Sequence, residues 1–434
     1  MSPLEIGALV GLATVLVLGS GVPIAFGLGF VALAFLLVFE GPGGLAFVGE
    51  LFFSNLSDFT LVAIPMFVVM GAAIAASPAA ADLYESLERW LGRVPGGLAI
   101  SNIGACTVFA ALSGSSPATC AAIGKMGIPE MRKRGYPAGF AAGAIAAGGT
   151  LGILIPPSVT MIVYGIATGT SIGRLFIAGL VPGLFLTGLF ALWALLYSRR
   201  RAAAFAVPQR YSWADKFRRL PRVLPFLAIV AAILYVLYGG IATPSEAAGV
   251  GAMLCLVFVA IMYRRWRPRE IWQVFSSSMR ESVMVMMIIG ASGLFSYMLS
   301  TLFVTQSVAE SIVALDVNRW VLLGIINLFL LVAGFFLPPV AVILMTAPVL
   351  LPIIVAAGFD PYWFAIIMTI NLEIGLITPP VGLNLYVING IAPDVPLRAI
   401  LSGAAPFVLL MMLGIVVLCV FPGIVTWLPD LLLG

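Results

Sequence analysis

The chain has 434 residues, of which 62% are hydrophobic and only 9% are charged. This composition lies far outside the range of soluble globular proteins and predicts an all-α integral membrane protein. The formal net charge is only +4 and no long basic stripe is present, so nucleic-acid binding is excluded. The sequence contains no histidine, which removes imidazole from any metal site, proton relay or Ser-His triad.

Apolar segments recur along the whole chain at nearly the length that a membrane requires. A bilayer core about 30 Å thick needs roughly 20 residues of helix. The predicted spans lie near residues 6–18, 22–39, 61–76, 140–167, 175–196, 224–237, 247–262, 283–303, 363–391 and 400–420.

Two further apolar regions, 100–128 and 321–356, are interrupted by Ser, Gly or Pro. The pieces on either side of each interruption are predicted to be too short to cross a bilayer twice. Non-helical backbone at membrane depth is tolerated only where protein or a water-filled cavity covers it. We therefore predict two re-entrant helical hairpins, at about 97–130 and about 320–356.

An internal repeat relates the two halves of the chain at an offset of 223 residues. Pro129 pairs with Pro352 and Pro157 with Pro380, since 352 − 129 and 380 − 157 both equal 223. Isolated matches are expected with 46 Gly and 29 Pro, whereas six matches at this offset, followed in order by three more at an offset of 224, favour duplication. The predicted organisation is a first repeat at 1–197, a basic linker at 198–222 and a second repeat at 223–434.

Basic residues predict the orientation of these repeats. By the positive-inside rule the linker is cytoplasmic, and the basic turn at 264–269, two spans later, lies on the same side. Counting spans places Gly135 inside but its repeat partner Gly358 outside, so the repeats are predicted to be inverted. The basic residues of the linker and of the turn are Arg199, Arg200, Arg201, Arg210, Lys216, Arg218, Arg219, Arg222, Arg264, Arg265, Arg267 and Arg269.

Both halves interrupt their helices at matching places, and inverted repeats with broken helices are typical of secondary transporters. A Pro pair removes two backbone donors and Gly lets the chain leave helical φ/ψ, so carbonyl oxygens become available to a hard cation such as sodium. Alternatively, the small residues serve close packing and the prolines merely kink a span. The interruptions lie at 113–119 in the first hairpin, at 152–158 in a broken helix of about 138–167, at 336–341 in the second hairpin, and at 375–380 in a broken helix of about 361–392.

Polar side chains near these interruptions are candidate ligands. Neutral oxygens come from Ser113, Ser115, Ser116 and Thr119 in one half and from Thr378 and Asn384 in the other. Glu373, two residues before Gly375, is predicted to bind a cation, to relay protons, or to support the site through a hydrogen bond.

Other charged segments are given structural roles. Glu246 begins a predicted span and is expected to cap its helix or to pair with a neighbouring chain. The short amphipathic segments 83–91 and 271–279 are predicted to lie along the inner membrane interface.

Five short motifs are specific enough to suggest a family: AIPMF at 63–67, SGSS at 113–116, PEMRKRGY at 129–136, GTLGILIPPS at 149–158 and SIGRLF at 171–176. On these motifs the chain resembles the large, DctM-like membrane subunit of tripartite ATP-independent periplasmic (TRAP) transporters over essentially its whole length.

The resemblance implies a sodium-coupled elevator mechanism in the bacterial inner membrane, in which the hairpins and broken helices slide against a scaffold. It implies a small four-helix membrane subunit (Q-type) and a periplasmic substrate-binding protein (P-type) as partners. The expected cargo is a small organic acid, such as a dicarboxylate or sialic acid. Neither enzymatic activity nor an organic cofactor is expected.

Carried over by motif position, the resemblance also implies site residues. Pro338 departs from the family pattern, because an acidic residue commonly occupies its place, and this leaves the second hairpin tip without a charge. The expected residues are Ser113, Gly152, Ile155 and Pro156 for a first sodium site, Gly334, Gly375, Thr378 and Val381 for a second, and Ser115, Ser116, Thr119, Ser158 and Asn384 for the substrate.

Three alternatives remain open at this stage. The nearest is a stand-alone transporter of carboxylates or inorganic anions with the same inverted-repeat design. A membrane-embedded hydrolase would use Ser115 or Ser116 as nucleophile, but Lys125 is the only basic residue near either of them in the sequence. A noncatalytic scaffold subunit of a larger complex is the third.

Overall fold

The computed structural model describes residues 1–201, 211–264, 267–314 and 318–433. Within these ranges the chain is helical and contains no β-strand, which confirms the predicted all-α class. The central part of the predicted linker, with Arg210, and the predicted basic residue Arg265 lie outside the described residues.

The helices before the linker are numbered α1 to α10. They are α1 (Pro3–Gly19), α2 (Ile24–Glu40), α3 (Val48–Leu56), α4 (Ala63–Ala75), α5 (Ala79–Leu91), α6 (Gly97–Ser113), α7 (Ser116–Lys133), α8 (Ala138–Thr150), α9 (Val159–Thr168) and α10 (Ile172–Arg200).

The helices that follow are numbered α11 to α20. They are α11 (Trp213–Tyr238), α12 (Pro244–Tyr263), α13 (Pro268–Thr301), α14 (Val304–Ala314), α15 (Arg319–Phe336), α16 (Pro339–Ala356), α17 (Pro361–Leu376), α18 (Leu383–Ile391), α19 (Leu397–Val420) and α20 (Gly423–Leu433).

Several of these helices could cross a membrane. In the part of the chain that the structure describes, seven helices are long and apolar enough by length and composition, or eight if one bent pair counts as a single span. The bent pair joins Pro42–Leu56 to Phe59–Ala75 at an angle of 55°. The seven are α10, the part of α11 from Leu220 onward, α12, α13, α15, α16 and α19.

Local signals explain where α12 begins. The Thr243 side chain accepts the backbone N–H of Glu246 at 3.3 Å, and the Glu246 carboxylate accepts the backbone N–H of Thr243 at 2.8 Å. This reciprocal capping box satisfies two donors that a helix start leaves unpaired, and Pro244 at the first helical position needs no partner. The capping role predicted for Glu246 is therefore confirmed.

The order of helices repeats along the chain. Helix α7 begins at Ser116 and α16 at Pro339, while α8 begins at Ala138 and α17 at Pro361. The differences 339 − 116 and 361 − 138 both equal 223, the offset seen in the sequence. In each half a helical hairpin is followed by a helix that breaks and resumes.

The two halves share one core, because α8 of the first half lies directly against α19 of the second. A Cβ atom added to Gly403 would overlap the carbonyl oxygen of Gly139, and one added to Gly143 would overlap the backbone of Gly403. Small residues of this kind let helix backbones approach closely in membrane proteins.

Two sequence expectations about helix length are wrong. Residues 271–279 do not form a separate helix, since α13 runs unbroken from Pro268 to Thr301. The hydroxyls of Ser277 and Ser278 donate to the carbonyl of Val274 at 3.0 and 2.8 Å, so these polar residues need not end the helix. The two pieces of the second hairpin, α15 and α16, are also longer than predicted, with 18 residues each.

Candidate functional site

The first hairpin turns between α6 and α7. Helix α6 ends at Ser113, and Gly114 follows it in the left-handed conformation with φ +59°, which favours glycine. The hydroxyl oxygens of Ser113 and Thr119 lie 2.9 Å apart, and the Thr119 hydroxyl donates to the Ser115 carbonyl at 2.9 Å. The predicted ligands Ser113 and Thr119 therefore bond to each other within the tip.

The first broken helix packs against this tip. A Cβ atom on Gly152 would lie 3.2 Å from the carbonyl group of Ser115, so the backbones of tip and break are in close contact. In the described residues the carbonyls of Gly152, Ile155 and Pro156 accept no hydrogen bond. Prolines 156 and 157 lack the N–H groups that a continuing helix would supply.

Ser158 has a local role at this break. Its hydroxyl accepts the backbone N–H of Met161 at 3.3 Å and caps the start of α9. Ser158 is fully buried and is not among the residues that line the cavity described below.

The second hairpin contacts the second broken helix at two glycines. A Cβ atom on Gly375 would overlap the carbonyl oxygen of Gly334, and the N–H of Val381 donates to the carbonyl of Phe335 at 3.3 Å. Because Pro338 has no N–H, the Gly334 carbonyl lacks the donor that a continuing helix would provide.

The backbone carbonyls of the second break differ in whether they accept a hydrogen bond. The Gly375 carbonyl accepts the N–H of Thr378 at 3.3 Å, whereas the carbonyls of Thr378 and Val381 accept no hydrogen bond within the described ranges. The Thr378 hydroxyl donates to the Ile374 carbonyl. Val381 is 41% exposed, so this break is more open than the buried first break.

Residues from all four interruptions line one cavity of about 470 Å³. The predicted site residues Ser113, Ser115 and Ser116 line it, whereas Thr119 and Asn384 do not. The lining comprises residues 113–118 of the first hairpin, 338–340 of the second, Ile153, Val159 and Thr160 of the first broken helix, and Leu376 and Leu383 of the second.

A hydrogen bond between the halves lies beside this cavity. The Ser116 hydroxyl is 2.9 and 2.8 Å from the two carboxylate oxygens of Glu373, which is fully buried. In the part of the chain that the structure describes, Ser116 is the hydrogen-bond donor to this carboxylate. This hydrogen bond is the kind of contact that the predicted support role of Glu373 requires, and the cation-binding and proton-relay roles stay predictions.

Asn384 forms a second contact between the halves. Its side-chain nitrogen donates to the Ala146 carbonyl at 3.3 Å, and its buried Oδ1 has no hydrogen-bond partner among the described residues. Asn384 therefore joins α18 to α8 and is not among the residues that line the cavity, although its neighbour Leu383 is.

The cavity is completed by helices that the sequence did not connect with the site. Helix α4 contributes Val68 and Gly71, and a Cβ atom on Gly71 would lie 2.8 Å from the Ser113 carbonyl oxygen. Helix α13 contributes Ser277 and Glu281. An acidic residue just before the apolar run 283–303 is the one sequence signal that could have drawn attention to α13.

A second cavity of about 850 Å³ adjoins the first and shares Ala72, Ala76 and Ser277 with it. It lies between the ends of α4 and α12 and the start of α13. Arg280 and Glu270 are among its lining residues, and no residue of the two proline breaks is.

Comparison with known proteins decides the family. The sequence profile described as "Tripartite ATP-independent periplasmic transporter, DctM component" matches residues 9–424. The chain belongs to this family. It is therefore a multi-pass integral membrane permease subunit of a transporter, and the expectation that it is not an enzyme is confirmed because its relatives are named as permeases.

Individual relatives cover most of this permease. The C4-dicarboxylate TRAP transporter large permease protein DctM of Pseudomonas aeruginosa is 40% identical over 378 residues, which cover 87% of this chain and 88% of that one. The isethionate TRAP transporter permease protein DctMQ of Oleidesulfovibrio alaskensis is 36% identical over 412 residues, covering 93% of this chain but only 63% of the relative.

A solved structure shares the fold. The crystal structure of the YdaH transporter of Alcanivorax borkumensis superposes with a TM-score of 0.67 and covers 90% of this permease and 89% of that chain. The sequence identity is 16%, so this likeness concerns architecture alone.

Proposed function

We propose that this permease imports small carboxylates by sodium symport, together with a small membrane subunit and a periplasmic substrate-binding protein. The observation that carries the proposal is the single cavity lined by all four helix interruptions, two from each half. A site between repeats, built from broken helices, is the arrangement that secondary transporters use.

Sodium binding is proposed from the free carbonyl oxygens. The residues present fit a hard monovalent cation, because Gly152, Ile155 and Pro156 offer carbonyls without hydrogen bonds, and the Ser113 hydroxyl lies on the adjoining tip. For the second sodium ion we propose the four residues that the family motif assigns to a second site. The Gly375 carbonyl already accepts the N–H of Thr378, so it would bind the ion through its second lone pair. These residues are Gly334, Gly375, Thr378 and Val381.

A carboxylate is proposed to bind at the hairpin tips. Helices α7 and α16 both begin at the cavity, at Ser116 and Pro339, and each is 18 residues long. Helix N-termini carry partial positive charge and unpaired N–H groups, which favour an anion. Ser115 and Ser116 line the cavity beside the first of these helix ends, and of the five expected substrate residues we retain these two.

We further propose that both hairpins are re-entrant and move with the broken helices as one transport unit. Two tips that meet inside one cavity favour hairpins that end within the protein over hairpins that cross it. Helices α4 and α13 would then belong to the scaffold against which this unit slides.

The driving force follows from charge. Each sodium ion that enters down an inside-negative potential of 100 mV contributes about 2.3 kcal/mol. The membrane potential adds to the driving force when more sodium charge enters than the negative charge that the solute carries. We place the complex in the bacterial inner membrane, where such a potential exists. The relative named DctMQ, about a third of which lies outside the match to this chain, supports a Q-type partner.

The test is uptake into proteoliposomes that contain the permease and its small subunit, with the binding protein outside. We expect carboxylate uptake that requires an inward sodium gradient and increases with an inside-negative potential, and that a proton gradient does not replace. Ser113→Ala and Thr378→Ala should raise the sodium concentration for half-maximal uptake about tenfold or more. Ser402→Ala, an exposed hydroxyl on α19 outside the cavity, is the matched control.

Two results would contradict the proposal. Uptake that persists without sodium would show that sodium is not the coupling ion. Uptake by the permease alone, without the binding protein, favours the stand-alone transporter.

A further inference from the structure

We propose that Glu281 makes the cavity select zwitterionic carboxylates, that is, small solutes carrying a cationic group as well as a carboxylate. The inference rests on the proposed function, because it concerns the solute that occupies the same cavity.

Among the described residues that line the 470 Å³ cavity, Glu281 is the one that carries a charge. It lies on α13, outside both hairpins and both broken helices. Its side chain is exposed and forms no ion pair or hydrogen bond with the described residues. A carboxylate that is free at the wall of a binding cavity can pair with a cation brought in by the solute.

No described basic side chain lines the cavity to compensate for this charge. The lining residues that the structure describes include neither lysine nor arginine. The preceding residue, Arg280, lines the larger adjoining cavity together with Glu270. Consecutive residues on a helix point about 100° apart, which places the two side chains of α13 in different cavities.

The cavity therefore has two electrostatically different parts. Ser116 and Pro339 mark the N-termini of two long helices, where partial positive charge favours a carboxylate. Glu281 lies on a separate element and favours a positive group. A dicarboxylate that fills the cavity would bring a second negative charge toward Glu281, whereas a zwitterion of the same length would satisfy both parts.

The test compares solutes that differ only in the group at one end. Uptake of labelled succinate and of 4-aminobutyrate, and of further dianion and zwitterion pairs of equal chain length, is measured with the complete complex under a sodium gradient. We expect the transported solutes to be zwitterions. Glu281→Gln should lower their uptake at least tenfold at subsaturating concentration while leaving thermal unfolding unchanged.

Glu50→Gln is the matched control, because Glu50 lies on α3 and does not line the cavity. It should leave uptake unchanged. A different result would overturn the inference and leave the proposed function intact: the complex takes up a dianion in a sodium-dependent way, and Glu281→Gln leaves that uptake unchanged or raises it. Absence of sodium-dependent uptake across the whole panel would instead contradict the proposed function, and this inference with it.

Discussion

Ser116 and Glu373 are hydrogen-bonded across the two halves of the chain, with the serine hydroxyl 2.9 and 2.8 Å from the carboxylate oxygens. Ser116 is the first residue of α7, at the tip that packs against Gly152, and Glu373 lies two residues before Gly375. The pair therefore joins the tip of the first hairpin to the second broken helix, close in sequence to residues of both proposed sodium sites.

Ser116→Ala should destabilise the protein more than Glu373→Gln. Removing the hydroxyl leaves a fully buried carboxylate without its donor, at a cost of roughly 1–3 kcal/mol, whereas glutamine keeps an oxygen for Ser116 and removes the charge. Thermal unfolding in detergent of both single variants and the double variant measures the coupling, which we expect at about 1 kcal/mol or more. Additive effects would show that the two residues act independently.

Gly403→Ala should destabilise the contact between the halves. The added methyl group would overlap the carbonyl oxygen of Gly139, and overpacking of this kind costs about 1–3 kcal/mol. Gly188→Ala on α10 is the control, since a Cβ atom there meets nothing within 4 Å. Equal melting temperatures for the two variants would be inconsistent with close packing of α8 against α19.

Gly375→Ala should weaken sodium dependence more than it weakens folding. Its methyl group would overlap the Gly334 carbonyl oxygen and separate the second hairpin from its broken helix. We expect the sodium concentration for half-maximal uptake to rise at least tenfold. Gly390→Ala on α18, where a Cβ atom has open space, should leave it unchanged. An unaltered sodium titration for Gly375→Ala would remove this residue from the proposed second site.

Asp82→Asn tests how α5 is held. The Asp82 carboxylate accepts hydrogen bonds from Arg222 at 3.1 Å and Tyr263 at 2.9 Å, and its side chain is almost fully buried. Replacing this charge should lower the free energy of unfolding by roughly 1–3 kcal/mol. The outward-facing Glu85, paired with Arg89 at 3.8 Å, provides the control Glu85→Gln, which should cost about 0–1 kcal/mol. A larger loss for Glu85→Gln would contradict this account of α5.

The sequence predicted the interruptions well because they depend on local chemistry. Proline cannot donate a backbone hydrogen bond, so Pro156 and Pro157 predict the gap between the end of α8 and the start of α9 at Val159. Gly114 and the serines around it likewise predict a turn, and α6 and α7 meet there.

What the sequence could not provide is the identity of tertiary neighbours. Gly139 contacts Gly403, and Glu281 lines the same cavity as the two hairpin tips, although these residues lie far apart in the chain. A single sequence read by itself contains no record of such contacts. The amphipathic pattern of residues 271–279 also misled, because it suggested a short separate helix, whereas α13 runs unbroken from Pro268 to Thr301. Within it the hydroxyls of Ser277 and Ser278 bond to the carbonyl of Val274 and leave the helix intact.

Protection of two engineered cysteines tests most directly whether the four interruptions form one solute and ion site. Ala118→Cys and Val340→Cys place thiols on the two hairpins, at cavity positions outside the proposed ligand sets, in a chain whose 4 native cysteines are replaced. If the four interruptions form one site, sodium and the transported carboxylate together slow maleimide labelling of both thiols, while Ser57→Cys, in the exposed turn after α3, reacts at an unchanged rate. Protection at only one hairpin, or labelling that neither sodium nor solute alters, would contradict it.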